Sequence, residues 1–198
     1  MSQKNLVKIQ SILVLTIGVV FLTTVSVSVA HSLGVTPRAY EQKTGAANLN
    51  TRDRNFVMEA AMGGMAEVEL GKLATQKATS DAVKQFGQKM VDDHSAANSE
   101  LTQLAAAKGL TLPTELDAKH RADITRLSKL SGAAFDGAYS KAMLDDHVKD
   151  VAAFEKESTS GTDPEVKAFA TKTLPTLKQH LEMARSLNGQ SSKTNPGT

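Results

Sequence analysis

Four long stretches of the chain and one short one carry apolar residues at the three-to-four spacing of a helix, and each stretch has legible ends. The first is expected over residues 52–78, with Thr51 as N-cap. The second has Ser80 as N-cap and Asp81 in its first turn. It ends at Lys108, with Gly109 placed to take the left-handed turn that closes a helix. A loop over 110–113 leads to a shorter helix over 115–130, bounded by Thr114 and Gly132. The next helix is expected over 133–158, stopping at Ser160-Gly161. The last opens with Asp163-Pro164-Glu165, an N-cap followed by a proline where no amide donor is needed, and stops near Leu187 at Asn188-Gly189. No run alternates as a strand would.

Connection lengths decide how these helices assemble. The first and second, and the last two, are joined by only a few residues, so each pair is an antiparallel hairpin. The middle connection is long and holds the short helix. That length carries the chain back along the bundle and makes the second and fourth segments parallel. The expected fold is therefore all-α: a ferritin-like four-helix bundle with a short extra helix in the long middle crossover. A plain up-and-down bundle of five helices is the alternative.

A different pattern precedes the bundle. Lys4 and Lys8 are followed by an uncharged, strongly apolar run over residues 9–30 that ends in Ser28-Val29-Ala30, the small residues a signal peptidase requires. At about 22 residues the run is also long enough to cross a bilayer of roughly 30 Å if it stays attached. Residues 1–30 are thus a signal peptide or membrane anchor, 31–50 a linker, 51–188 the helical domain and 189–198 a disordered tail. An exported protein of the periplasm or cell envelope is expected, touching the membrane only through residues 9–30 if they are retained.

Composition narrows the chemistry. Without cysteine there is no disulfide, thiolate metal site or thiol nucleophile. Lys4 and Lys8 account for the whole formal charge of +2, so the domain itself is neutral. A neutral domain without tryptophan lacks the basic face that nucleic-acid binding requires. A second copy of the chain (a homo-oligomer) and a small molecule of unknown kind remain as partner classes.

Two helices carry nearly the same pentapeptide, Met90-Val91-Asp92-Asp93-His94 and Met143-Leu144-Asp145-Asp146-His147, each with an aromatic four residues upstream, Phe86 and Tyr139. That spacing puts aromatic, Met and His on one apolar stripe. His180 on the last helix is framed by Leu177, Met183, Ala184 and Leu187. On the first helix Glu67 lies in a strip of small residues (Ala60, Gly63, Gly64, Gly71, Ala74) that lets another helix approach closely. His94, His147, His180 and Glu67 are the candidate metal ligands, a set suited to Fe, Zn or Cu. The competing reading keeps the histidines as core residues bonded to carboxylates such as Asp93 and Asp146.

Counted from the turns, Glu67 and His94 stand level, whereas His180 falls about 7 Å farther from its turn than His147, which argues against a tight four-ligand cage. Met58, Met62 and Met65, with Met90, Met143 and Met183, add a thioether set that would suit Cu(I). The first three lie on the side of their helix opposite Glu67. Pro175 is expected to kink the last helix one turn before His180. No hydrolase triad, Walker loop or dinucleotide fingerprint occurs, so catalysis is not expected.

Residues 55–187 resemble a bacterial family of unknown function (domain of unknown function 4142). The matching segments are Glu59-Ala60-Ala61-Met62-Gly63-Gly64-Met65-Ala66-Glu67-Val68-Glu69-Leu70-Gly71, Met90-Val91-Asp92-Asp93-His94, Phe135-Asp136-Gly137-Ala138-Tyr139 and Leu174-Pro175-Thr176-Leu177-Lys178-Gln179-His180-Leu181. The resemblance implies a ferritin-like bundle and an exported or outer-membrane location, and no activity. Di-iron carboxylate proteins of that superfamily use Glu-x-x-His. Val91 and Leu177 stand where this chain would need the Glu, so that ligand set does not carry over.

Overall fold

A computed structural model describes residues 49–194; the expected leader, the linker up to residue 48 and residues 195–198 lie outside them. Five helices and no strand occur among the described residues: α1 (Thr51–Lys77), α2 (Asp81–Ala107), α3 (Ala118–Ser128), α4 (Gly132–Ser160) and α5 (Pro164–Thr194).

Most of the helix ends follow the sequence signals. Gly109 takes the positive φ of 67° after α2, with Leu110 N donating to Ala105 O and Gly109 N to Ala106 O, the bond pair that satisfies a helix's last carbonyls. Asp163 caps α5 by accepting from Val166 N at 3.1 Å and Glu165 N at 3.0 Å.

Four ends differ. Asn50, not Thr51, caps α1, because its amide oxygen accepts from Asp53 N at 2.9 Å. Asp117 caps α3 through His120 N at 2.8 Å, so that helix starts three residues later than its pattern suggests. Ser80 stands at the N-cap of α2 but its hydroxyl makes no capping bond. α5 continues through Asn188-Gly189 to Thr194, into the stretch expected as a tail. Glycine ends a helix where the backbone turns left-handed, and among the described residues only Gly109 and Gly132 do so. Pro175 lies inside α5 without ending it.

α1 packs along α2, and α4 along α5, as two hairpins with turns at residues 78–80 and 161–163. Two buried aspartates tie the hairpins together. Asp53, near the start of α1, reaches the α4–α5 turn and accepts from Thr162 N (3.2 Å), Thr162 Oγ1 (2.7 Å) and Asp163 N (2.7 Å). Asp136, near the start of α4, reaches the α1–α2 turn and accepts from Thr79 N (3.1 Å) and Ser80 N (2.9 Å). Asp136 thereby holds the backbone amides of Thr79 and Ser80 at the entry to α2. Because α4 begins at the end where α2 begins, α2 and α4 run parallel, as the long middle connection requires.

The core has two apolar layers. One gathers Phe56, Val57, Leu101, Phe154, Val166, Phe169 and Leu177 among others. The second gathers Leu70, Val83, Phe86, Met90, Phe135, Tyr139 and Met143 among others. On α1, α2 and α4 the boundary between the layers falls at Glu67, His94 and His147, and on α5 His180 sits between Leu177 of one layer and Ala184 of the other. All four polar residues are at most 6% exposed.

Candidate metal centre

Each of the four long helices contributes one buried polar side chain to this middle layer, and the three imidazoles face one another. Ring centroids are 5.9 Å apart for His94 and His147, 5.3 Å for His94 and His180, and 5.3 Å for His147 and His180. The 7 Å offset expected for His180 does not separate the rings. A helical side chain leans toward its own N-terminus. His180 therefore leans toward the α4–α5 turn and His147 away from it, and the two leanings close the gap.

The hydrogen bonds specify how each ring is oriented. His94 Nδ1 lies 2.9 Å from Glu67 Oε2. His147 Nδ1 donates to Met143 O at 3.0 Å. His180 Nε2 donates to Asp93 Oδ2 at 2.7 Å, and Lys89 holds Asp93 from outside at 2.8 Å. In the His147 and His180 rings one nitrogen is thus committed to an acceptor, and in His94 the Nδ1 atom stands against the Glu67 carboxylate. The remaining atoms, His94 Nε2, His147 Nε2 and His180 Nδ1, are buried without a hydrogen-bond partner, and so is Glu67 Oε1. His147 Nε2 stands 3.4 Å from Glu67 Oε1. One ligand-type atom from each of the three histidines falls within 4.8 Å of the others.

Burial sets the charge states. It pushes the rings of His94 and His180 down to about 4, against the opposing pull of Asp150 and Asp93 on His94 and of the Asp93 hydrogen bond on His180. Both rings are neutral near pH 7, so the 2.9 Å contact of His94 with Glu67 is not an ion pair. Burial also raises the Glu67 carboxyl, the His147 charge only partly opposing it. The wholly buried Tyr139 hydroxyl has no hydrogen-bond partner, and burial followed by the Glu67 charge raises it too. The Phe86 ring closes the layer, 6.2 Å from His147 and 6.3 Å from His180.

All four residues singled out in the sequence meet here. Of the two aspartates expected as histidine partners, Asp93 holds His180, while His147 turns to a backbone carbonyl instead of Asp146. Asp92 and Asp145 are the exposed members of their pairs. Met90 and Met143 belong to the apolar layer, and Met62 takes Asp117 N on its sulfur at 3.3 Å; none of the three α1 methionines faces the histidines.

Asp150 was missed. It forms a second ligand-type cluster with Glu67 and His147, and burial followed by the Glu67 charge raises its carboxyl. The sequence held a signal for it. Asp150 follows Asp136 by fourteen residues, as Glu67 follows Asp53.

Fold and site together describe an all-helical domain with a buried histidine–carboxylate layer at its centre. The chain belongs to the family called domain of unknown function (DUF4142), whose profile matches residues 39–187. No curated protein matches. Among solved structures, a DUF305 fragment from Deinococcus radiodurans is similar with a TM-score of 0.63 at 13% identity, over 72% of this chain and 98% of that one. A DUF305 protein from Streptomyces coelicolor whose name calls it secreted is similar with a TM-score of 0.61 at 12% identity, over 71% and 92%. At such identities the likeness concerns the fold.

Proposed function

We propose that this protein is an exported helical bundle that binds one divalent transition-metal ion through His94, His147 and His180. The observation that carries the reading is the convergence of three buried, unpartnered imidazole nitrogens, from three of the four long helices. A buried polar atom left without a partner costs about 1–3 kcal/mol. Three together would cost roughly 3–9 kcal/mol, comparable to the whole stability of a domain at about 5–15 kcal/mol. A cation removes that cost at a stroke.

The donor set suits Zn, Fe or Cu. The three imidazole nitrogens lie within 4.8 Å of one another, and atoms bound to one ion at about 2.1 Å stand at most about 4.2 Å apart, so shifts under about 1 Å close the set. The committed nitrogens add support. The Met143 carbonyl and Asp93 hold the rings of His147 and His180 in the tautomer that leaves the inner nitrogen bare, as carboxylates and carbonyls do around known metal-binding histidines. A ferritin-like topology fits the short, long, short connections. Export is supported by the leader-like residues 1–30.

Elemental analysis of tag-free protein tests this. One equivalent of metal per chain, and a melting temperature that falls on chelation, are expected. Metal far below one equivalent, with melting indifferent to chelator and to added Zn(II), would leave a purely structural bundle.

A further inference from the structure

We infer that the centre also has a position for a small exogenous ligand, a lone-pair donor of two or three heavy atoms, reached through a port on the half-exposed surface at Ala60, Gly63 and Asn98. The inference rests on the metal reading above and adds to it an open side.

A cavity of about 30 Å³ adjoins the histidine layer. Its inner wall includes Glu67, His94 and Asp150; its outer wall includes Ala60, Gly63 and Asn98. The inner carboxylate and ring are buried, with Glu67 Oε1 and His94 Nε2 unpartnered, whereas the three outer residues are half-exposed. The cavity thus leads from the partly open surface to Glu67 and to His94, the one of the three rings that lines it. A water needs roughly 10–15 Å³ measured in this way, so the space suits one or two waters or a molecule such as azide or peroxide.

The strip of small residues on α1 explains how the space stays open. A Cβ added at Gly63 would meet no atom within 4 Å, whereas one at Gly64 would run into the Asn98 amide. Asn98 therefore covers Gly64 and leaves Gly63 facing free space. Asp150 supplies a polar wall opposite the small residues, so a ligand bound to the ion would find a hydrogen-bonding group beside it.

Full-length protein loaded with Co(II) provides the test, with azide as the probe and the visible ligand-field bands as the readout. Saturable changes in those bands are expected on azide titration. Gly63→Leu, which fills the port, should keep the Co(II) bands and weaken the azide response by roughly tenfold or more, while Gly63→Ala keeps both. Thr173→Leu on the opposite wall, where the cavity meets α5, repeats the blockade should the first variant fold poorly. Co(II) bands that ignore azide, or an azide response untouched by filling the port, would overturn the inference and spare the metal reading. Absence of protein-bound Co(II) bands would overturn both.

Discussion

The two hairpins share a framework and differ in what fills it. Asp53 and Asp136 stand at equivalent places, each capping the other hairpin's turn. Fourteen residues after each comes a carboxylate, Glu67 and Asp150, and these two share the central layer. Other matched positions are not alike. Gly64 stands eleven residues after Asp53, and His147 eleven after Asp136. Eighteen residues after each aspartate come Gly71 and Phe154. Gly71 brings α1 against α2 so closely that a Cβ there would lie 2.5 Å from Gly87 O. Phe154 instead packs its ring on Phe169, with centroids 6.0 Å apart. The first hairpin is slim where the second is bulky. A duplicated scaffold thus sets the height of the polar layer, and unequal side-chain volumes decide which helix delivers an imidazole into it.

The sharpest way to break this comparison is to give the second hairpin the first one's small residue. His147→Ala should lower Zn(II) affinity roughly a thousandfold, about 4 kcal/mol at 1.4 kcal/mol per tenfold, in competition with a chromophoric chelator. An affinity within a few-fold of the parent would remove His147 from the ligand set.

The cross-caps test the shared framework. Asp53→Ala strands three donors, two of them backbone amides, and should cost about 2–4 kcal/mol in urea unfolding; Asp136→Ala strands two and should cost about 1–3 kcal/mol. The Asp53 cost also has a pH signature. Burial alone would raise its carboxyl, but the donors from Thr162, Asp163 and Asn50 outweigh burial and hold it below the usual 3.8. A carboxyl lowered on folding adds stability that is complete above its unfolded value and is lost as pH falls through the folded one. In a Glu157→Gln background, which removes the neighbouring carboxyl that Asp53 itself raises, the gap between Asp53 and Asp53→Ala should therefore be constant from pH 5 to 7 and shrink below about 4. A gap that widens in acid would contradict this.

Asp93→Asn asks how much the outer partner of His180 matters. Removing the charge that orients a liganding ring typically weakens metal binding 10–100-fold, and the same titration measures it. The smallest effects distinguish the α1 glycines. Gly71→Ala should destabilise by about 1–3 kcal/mol, because the added methyl meets backbone. Gly63→Ala should be neutral or stabilising by up to about 1 kcal/mol, because alanine favours a helix and finds open space. Equal thermal shifts for the two would mean that α1 and α2 are not closely packed at Gly71.

The five helices, both hairpin turns and the inward stripes bearing His94, His147 and His180 were legible in the sequence. Periodicity, caps and stop signals arise from contacts within about four residues, and these are written locally. Tertiary structure decided what no local rule contains. It brought His180 level with His147 through the opposite leanings of antiparallel helices. It drew Asp150 in beside Glu67, and it brought Asp136 onto the amides of Thr79 and Ser80 in the turn before α2. Each of these depends on the axial offset and separation of helices, which are set by packing volumes summed over both hairpins and not by any single segment of the chain.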